Sequence, residues 1–187
     1  LKSDFESKFE TLLTNDTNID IKFCHIDIEI SIDSAFLIGS VQFLIESKTD
    51  ELNVLKLDLD SAFIVDSISG DASSYLFTGN VLEIDLSERY TQGELISLSV
   101  YYHGVPKLID DTKGLRYEFH DGDEPVIVSL STPYLAHTWW PCKDGTSDKI
   151  DSVYVYITVK DTIISSIPVR AVSNGILEDV ISHENKK

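Results

Sequence analysis

The stretch HIDIEISID, residues 25–33, alternates apolar and polar side chains without a break. Ile26, Ile28, Ile30 and Ile32 fall on one side of a period of two, with Asp27, Glu29, Ser31 and Asp33 on the other. Successive side chains of an extended chain point to opposite faces, so this is a strand with one dry and one wet face. Downstream, Val41, Phe43 and Ile45 repeat the period, and the gap Ser34–Gly39 suits a hairpin turn between the two runs.

The same pattern recurs along the chain. Leu55, Leu57 and Leu59 alternate with Lys56 and Asp58, and Leu82, Ile84 and Leu86 alternate with Glu83 and Asp85. Ile96, Leu98, Val100 and Tyr102 alternate with Ser97, Ser99 and Tyr101; Val153, Val155, Ile157 and Val159 alternate with Tyr154, Tyr156 and Thr158. Turn residues separate the runs at Ser69-Gly70-Asp71, Thr78-Gly79-Asn80, Thr91-Gln92-Gly93 and Ser173-Asn174-Gly175. Short strands at this spacing predict an all-β domain, a sandwich or a single strongly bent sheet. Residues 1–13, LKSDFESKFETLL, carry Leu1, Phe5, Phe9, Leu12 and Leu13 at spacings of three and four, which predicts a short amphipathic helix. The polar TNDTNID closes it, so the chain divides into a helix and linker over 1–19 and a β domain over 20–187.

A chain of 187 residues with 42% hydrophobic content can build one real core. Asp and Glu number 32 against 15 Lys and Arg, a formal charge of -17. Such a surface repels a phosphate backbone, so nucleic acid is not an expected partner. No apolar run approaches the roughly 18 residues of a membrane span. The chain begins at Leu1 and contains no Met, which reads as a processed chain or a fragment; a cytoplasmic protein and one exported after signal removal both fit. Cys24 and Cys142 are either free buried thiols or a single bridge.

Catalytic patterns are missing. No two of the five histidines, His25, His103, His120, His137 and His183, have metal-binding spacing; His183-Glu184 is followed by Lys187 where a second imidazole would be needed. There is no GxSxG nucleophile elbow and no phosphate-cradling glycine loop. HDGDEP, residues 120–125, offers Asp121 and Asp123 but no continuing calcium-loop pattern, and reads as a solvated hairpin turn. Asn15-Asp16-Thr17 has the form of a glycosylation acceptor. No catalytic residue and no metal ligand is expected in this chain.

One loop stands apart. SLSTPYLAHTWWPCKDGTSDKIDSVYVYITV, residues 129–159, carries both tryptophans side by side, followed by Pro141 and Cys142. It resembles a signature in the N-terminal domain of the aminopeptidase N family of zinc metallopeptidases. There a strand leads into (S/Q)xEPxxAR, two bulky residues, Pro-Cys, an Asp-rich turn and the next strand. Trp139-Trp140-Pro141-Cys142, Ser147-Asp148-Lys149 and Val153–Val159 match those pieces in order, and Val172-Ser173-Asn174-Gly175 is similar to the "SNG" that follows. HIDIEISID, LDLD (Leu57 to Asp60) and the run from Gly93-Glu94-Leu95 to Tyr101-Tyr102-His103-Gly104 resemble earlier family elements, so the likeness covers nearly the whole chain after Asp20.

The resemblance implies a bent, saddle-like β domain with a sandwich-like core, preceding a catalytic domain that holds zinc, the HExxH motif and the GxMEN loop. None of these is in this chain, which needs no cofactor of its own. The implied partners are the catalytic domain of the same polypeptide and the peptide substrate of the full-length protein, an exopeptidase that removes N-terminal amino acids. By resemblance Thr132, Pro133 and Tyr134 wall the substrate cleft. Trp139, Trp140, Pro141 and Cys142 anchor the loop and face the catalytic domain. The family has Glu or Gln ten positions before the Cys, where it helps bind the substrate's α-amine. Here that residue is Thr132, a hydroxyl without charge. His137 replaces a common Arg and reads as an exposed, structural histidine. Outward tyrosines such as Tyr154 and Tyr156 point to a surface covered by a neighbour. The rival readings are a β-sandwich that binds carbohydrate or a protein partner through Trp139, Trp140 and surface tyrosines, and a scaffold domain of an inactive relative.

Overall fold

The computed structural model describes residues 14, 16–107, 114–120, 124–131, 134–145, 149–159, 163, 164 and 167–181. The amphipathic segment 1–13 lies outside them, as do Thr132, Pro133, Asp121, Asp123, Ser147, Asp148 and His183. Among the described residues the fold is all-β.

The opening stretch belongs to β1 (Ile19–Ile30), which buries Cys24, Ile26, Ile28 and Ile30 while Asp27 and Glu29 stay exposed. Its hairpin partner β2 (Leu37–Ser47) pairs antiparallel with Ile26 opposite Val41 and Cys24 opposite Phe43. The wet-dry alternation sets this register, because a slip of one residue would turn every isoleucine to solvent. β7 (Leu95–Gly104) pairs with β2 on its other side, and β4 (Phe63–Gly70) follows β7 at the edge. At the opposite edge β10 (Ser152–Val159) runs parallel to β1, completing the order β10-β1-β2-β7-β4.

A second sheet holds β3 (Leu52–Asp58), β6 (Val81–Tyr90) and β5 (Ala72–Thr78), in the order β3-β6-β5. The chain passes between the sheets at Gly70, whose φ of 94° and close approach to the Ser97 carbonyl leave no room for a side chain. Leu55, Leu57, Leu82 and Ile84 from this sheet join Val41, Phe43, Ile45, Ile96, Leu98 and Val100 from the larger one in a single core. A hairpin of β8 (Gly114–His120) and β9 (Glu124–Leu130) leads into the Trp139-Trp140 loop, with His120 opposite Glu124 at its tip. Two short strands, β11 (Ile163–Ile164) and β12 (Ile167–Pro168), pair after β10.

Two expectations change. Alternation puts Asp58 on a wet face with Lys56, yet it is fully buried at 0% exposure, because the Trp139-Trp140 loop lies against the end of β3. Conversely the apolar side of β10 is only partly covered, with Val153 at 40% exposure. No helix among the described residues is long and apolar enough to cross a membrane.

Candidate functional site

The loop from Ser131 to Gly145 leaves β9 and returns to the sheet through β10. Within it Tyr134 is buried and has a φ of 68°. A bulky side chain rarely adopts that left-handed conformation, so the surrounding contacts hold it there. A single 3-10 turn follows over Ala136–Thr138, in which the Thr138 hydroxyl donates to the Leu135 carbonyl at 2.7 Å.

The two tryptophans play different parts. Trp140 and Cys142 are buried in the main core, and Pro141 between them is buried as well. Trp139 is half-buried, and its indole N–H donates to Ser131 Oγ at 2.9 Å, tying the start of the loop to its middle. The rings lie 6.0 Å apart at 57°. Large aromatic area with one polar group to satisfy suits this anchoring role.

Three connections fasten the loop to the sheets. Cys142 and Asp58 exchange both backbone hydrogen bonds, Asp58 N–H to the Cys142 carbonyl at 2.7 Å and Cys142 N–H to the Asp58 carbonyl at 2.9 Å, so the loop extends the edge of β3 by one bridge. Tyr102 of β7, fully buried, donates its hydroxyl to the Trp139 carbonyl at 2.9 Å. Lys143 donates its ammonium to the Ile19 carbonyl at 2.8 Å, joining the loop to the start of β1.

Polar chemistry gathers where sequence reading did not place it. His137 is 2% exposed, not the exposed residue its loop position predicted. Its Nδ1 lies 2.7 Å from Asp144 Oδ2, and its backbone N–H donates to the same oxygen at 3.0 Å. Asp144 is buried too, and its backbone N–H donates to Asp58 Oδ2 at 3.2 Å. Asp58 Oδ1 accepts from the Thr14 backbone N–H at 2.8 Å. Burial pushes the Asp58 carboxyl above the usual carboxylate range, against the Thr14 and Asp144 donors and the neighbouring His137.

Cys24 and Cys142 are both free and both buried, which resolves the alternative left open by the sequence. Burial pushes both thiols up, and for Cys142 the nearby Asp144 and Asp58 act in the same direction. Among the described residues no group of three His, Cys, Asp or Glu side chains stands together to hold a metal ion, so these residues do not fit a zinc site. Of the residues expected to matter, the structure brings Tyr134, Trp139, Trp140, Pro141 and Cys142 into one loop; Thr132 and Pro133 lie outside the described residues.

Solved structures with this arrangement of strands exist. A two-domain M1 zinc metallopeptidase bound to L-arginine superposes on 77% of the chain with a TM-score of 0.67 at 22% identity. The M1 zinc metallopeptidase of Deinococcus radiodurans, bound to a Tyr-Ser-Ala substrate, matches 76% with a TM-score of 0.63 at 22% identity. Yeast LTA4 hydrolase matches 79% with a TM-score of 0.60 at 18% identity. The chain has the fold of part of an M1 zinc metallopeptidase. It spans 33% of the two M1 metallopeptidase chains and 24% of the yeast hydrolase. No protein-family model and no curated protein sequence matches it. The M1 fold is therefore visible here in the backbone, at identities where sequence says little about chemistry.

Proposed function

We propose that this chain is the non-catalytic N-terminal β domain of a zinc-dependent, aminopeptidase-like protein. In this reading it docks on the catalytic domain of the same polypeptide. The segment Thr132, Pro133 and Tyr134 walls one side of the substrate cleft of an exopeptidase, and Trp139, Trp140, Pro141 and Cys142 hold that segment in place. Zinc belongs to the other domain.

The observation that supports this best is a coincidence of position. The loop carrying the Trp-Trp-Pro-Cys motif is also the element that fastens the two sheets of an M1-like fold together, through Tyr102, Asp58 and Ile19. A motif resemblance alone would be weak, and a fold likeness near 22% identity alone gives no chemistry. The tight anchoring of Tyr134 at φ 68° suits a segment that must present a fixed surface to a neighbour.

The carbohydrate-platform alternative lacks support at Trp140, a residue only 7% exposed and so without an open face for stacking. A protein-binding module draws support from Tyr154 and Tyr156, 58% and 51% exposed on the outer face of β10. The scaffold reading differs only in the other domain.

The deciding experiment has two arms. The purified chain is assayed for release of amino acids from aminoacyl anilides, with no turnover expected; activity that co-purifies with the chain through successive columns overturns the non-catalytic reading. The coding sequence after Lys187 is then read, with HExxH and a further Glu expected; their absence transfers the conclusion to the scaffold reading.

A further inference from the structure

Residues 170–181 follow β12, are exposed throughout and belong to no strand. Within them the chain bends at Asn174-Gly175, between Val172 and Ile176, which are 88% and 89% exposed. Gly175 has a φ of 105°, and a methyl group added there would meet no atom within 4 Å. Among the described residues no hydrogen bond holds the Asn174 side chain or the Gly175 N–H. The other asparagines among the described residues sit differently. Asn18 precedes Ile19, Asn53 precedes Val54 and Asn80 precedes Val81, each a β-branched residue in a strand. The Asn80 side-chain oxygen also accepts from the Ser61 N–H at 2.9 Å.

We propose that Asn174 is a site of self-modification, at which the folded chain converts asparagine to isoaspartate. The Gly175 backbone nitrogen gives up its proton to hydroxide and bonds to the Asn174 side-chain carbonyl carbon. The bond from that carbon to the side-chain nitrogen breaks, and ammonia leaves. A five-membered succinimide ring results. Water then adds at one ring carbonyl. Cleavage of the ring bond to the backbone carbonyl carbon leaves the chain running through the former side chain, as isoaspartate. Cleavage of the other ring bond leaves aspartate. Nothing is oxidised or reduced; water enters and ammonia departs. Glycine favours ring closure because it has no Cβ to crowd the approach and turns freely in φ. The same chemistry is closed to Asp144-Gly145, although the sequence offers it there too. Asp144 is buried, and its Oδ2 is held by the His137 N–H at 3.0 Å and lies 2.7 Å from His137 Nδ1, so the carboxyl is not free to meet the Gly145 nitrogen. At Asn174 the change adds a carboxylate to a segment already carrying Glu178 and Asp179, and isoaspartate also lengthens the backbone by a methylene.

The test is timed incubation of the full 187-residue chain in neutral and in mildly alkaline buffer, followed by digestion and peptide mass spectrometry. The peptide holding Asn174 is expected to gain the mass of OH in place of NH2, faster in the alkaline buffer, with isoaspartate the major product by electron-transfer fragmentation. Conversion is expected to run roughly tenfold faster than at Asn18, Asn53 or Asn80, a barrier lower by about 1.4 kcal/mol. Gly175→Ala, in a spot with room for the methyl group, is expected to slow it severalfold without changing the urea midpoint. Asp144 is expected to remain aspartate. An Asn174 that stays intact in the folded chain while the excised peptide converts overturns the proposal, since the fold would then protect it. So does conversion no faster than at Asn80, or a Gly175→Ala chain that converts at the wild-type rate. None of these outcomes depends on the function proposed above, so a failure of the peptidase reading leaves them intact.

Discussion

Gly39 and Tyr102 face each other across β2 and β7, and a methyl group added at Gly39 would come within 2.5 Å of the Tyr102 ring. The glycine leaves the space through which the tyrosine passes to reach the Trp139 carbonyl. Gly39→Ala is therefore expected to cost about 1–3 kcal/mol, the range for forcing extra volume into a packed core. Urea unfolding measures it, and altered tryptophan emission would show that the displacement reaches the loop.

Tyr102→Phe removes only the hydroxyl. It keeps the ring that packs edge-on to Phe63 at 5.4 Å but leaves the Trp139 carbonyl without that donor. The expected loss is about 1–3 kcal/mol, with the midpoint moving and the denaturant slope constant. A loss much below that range would mean water replaces the hydroxyl.

The tryptophans should separate under mutation. Trp140→Ala empties part of the main core and is expected to cost about 3–5 kcal/mol. Trp139→Phe retains most of the half-buried ring and loses the bond to Ser131, so a cost of about 1 kcal/mol is expected. Emission of the wild type should be blue-shifted and indifferent to added sugars; quenching by glycans would favour the carbohydrate-binding alternative.

Cys24 and Cys142 should resist alkylation in the folded chain. Burial raises both thiols, so neither supplies thiolate at neutral pH, and reactivity should stay low from pH 7 to 9. In urea both should react, giving two labelled thiols by mass spectrometry. Rapid native labelling of either would show that the loop or β1 opens far more readily than the packing implies.

The strands that one-sided burial writes into sequence were legible. In β2, β7 and the part of β1 from Cys24 onward every second residue enters the same core, so the period of two reads directly as structure. β4 and β5 escaped because burial there is slight: β4 buries Phe63 and Val65 alone, and β5 has no fully buried residue. The Trp-Trp-Pro-Cys loop stood out in the sequence through its bulky residues. Its polar cluster did not, since His137 and Asp144 are seven positions apart and Asp58 lies 86 positions from Asp144, brought beside them only by the fold. Asp58 was misread for the same reason, because alternation records which way a side chain points but not what later covers it.

The parallel pairing of β10 with β1 has a consequence for biosynthesis. Phe23 meets Ser152, a partner made about 130 residues later in the chain. At ordinary translation speeds one flank of β1, rich in isoleucine, waits on the order of ten seconds for the strand that completes it. During that interval its backbone donors and acceptors are open to any other extended segment, including another nascent copy. The yield of native protein should thus depend on how promptly the loop delivers β10, which makes Trp139 and Trp140 as important to the chain's birth as to its finished form.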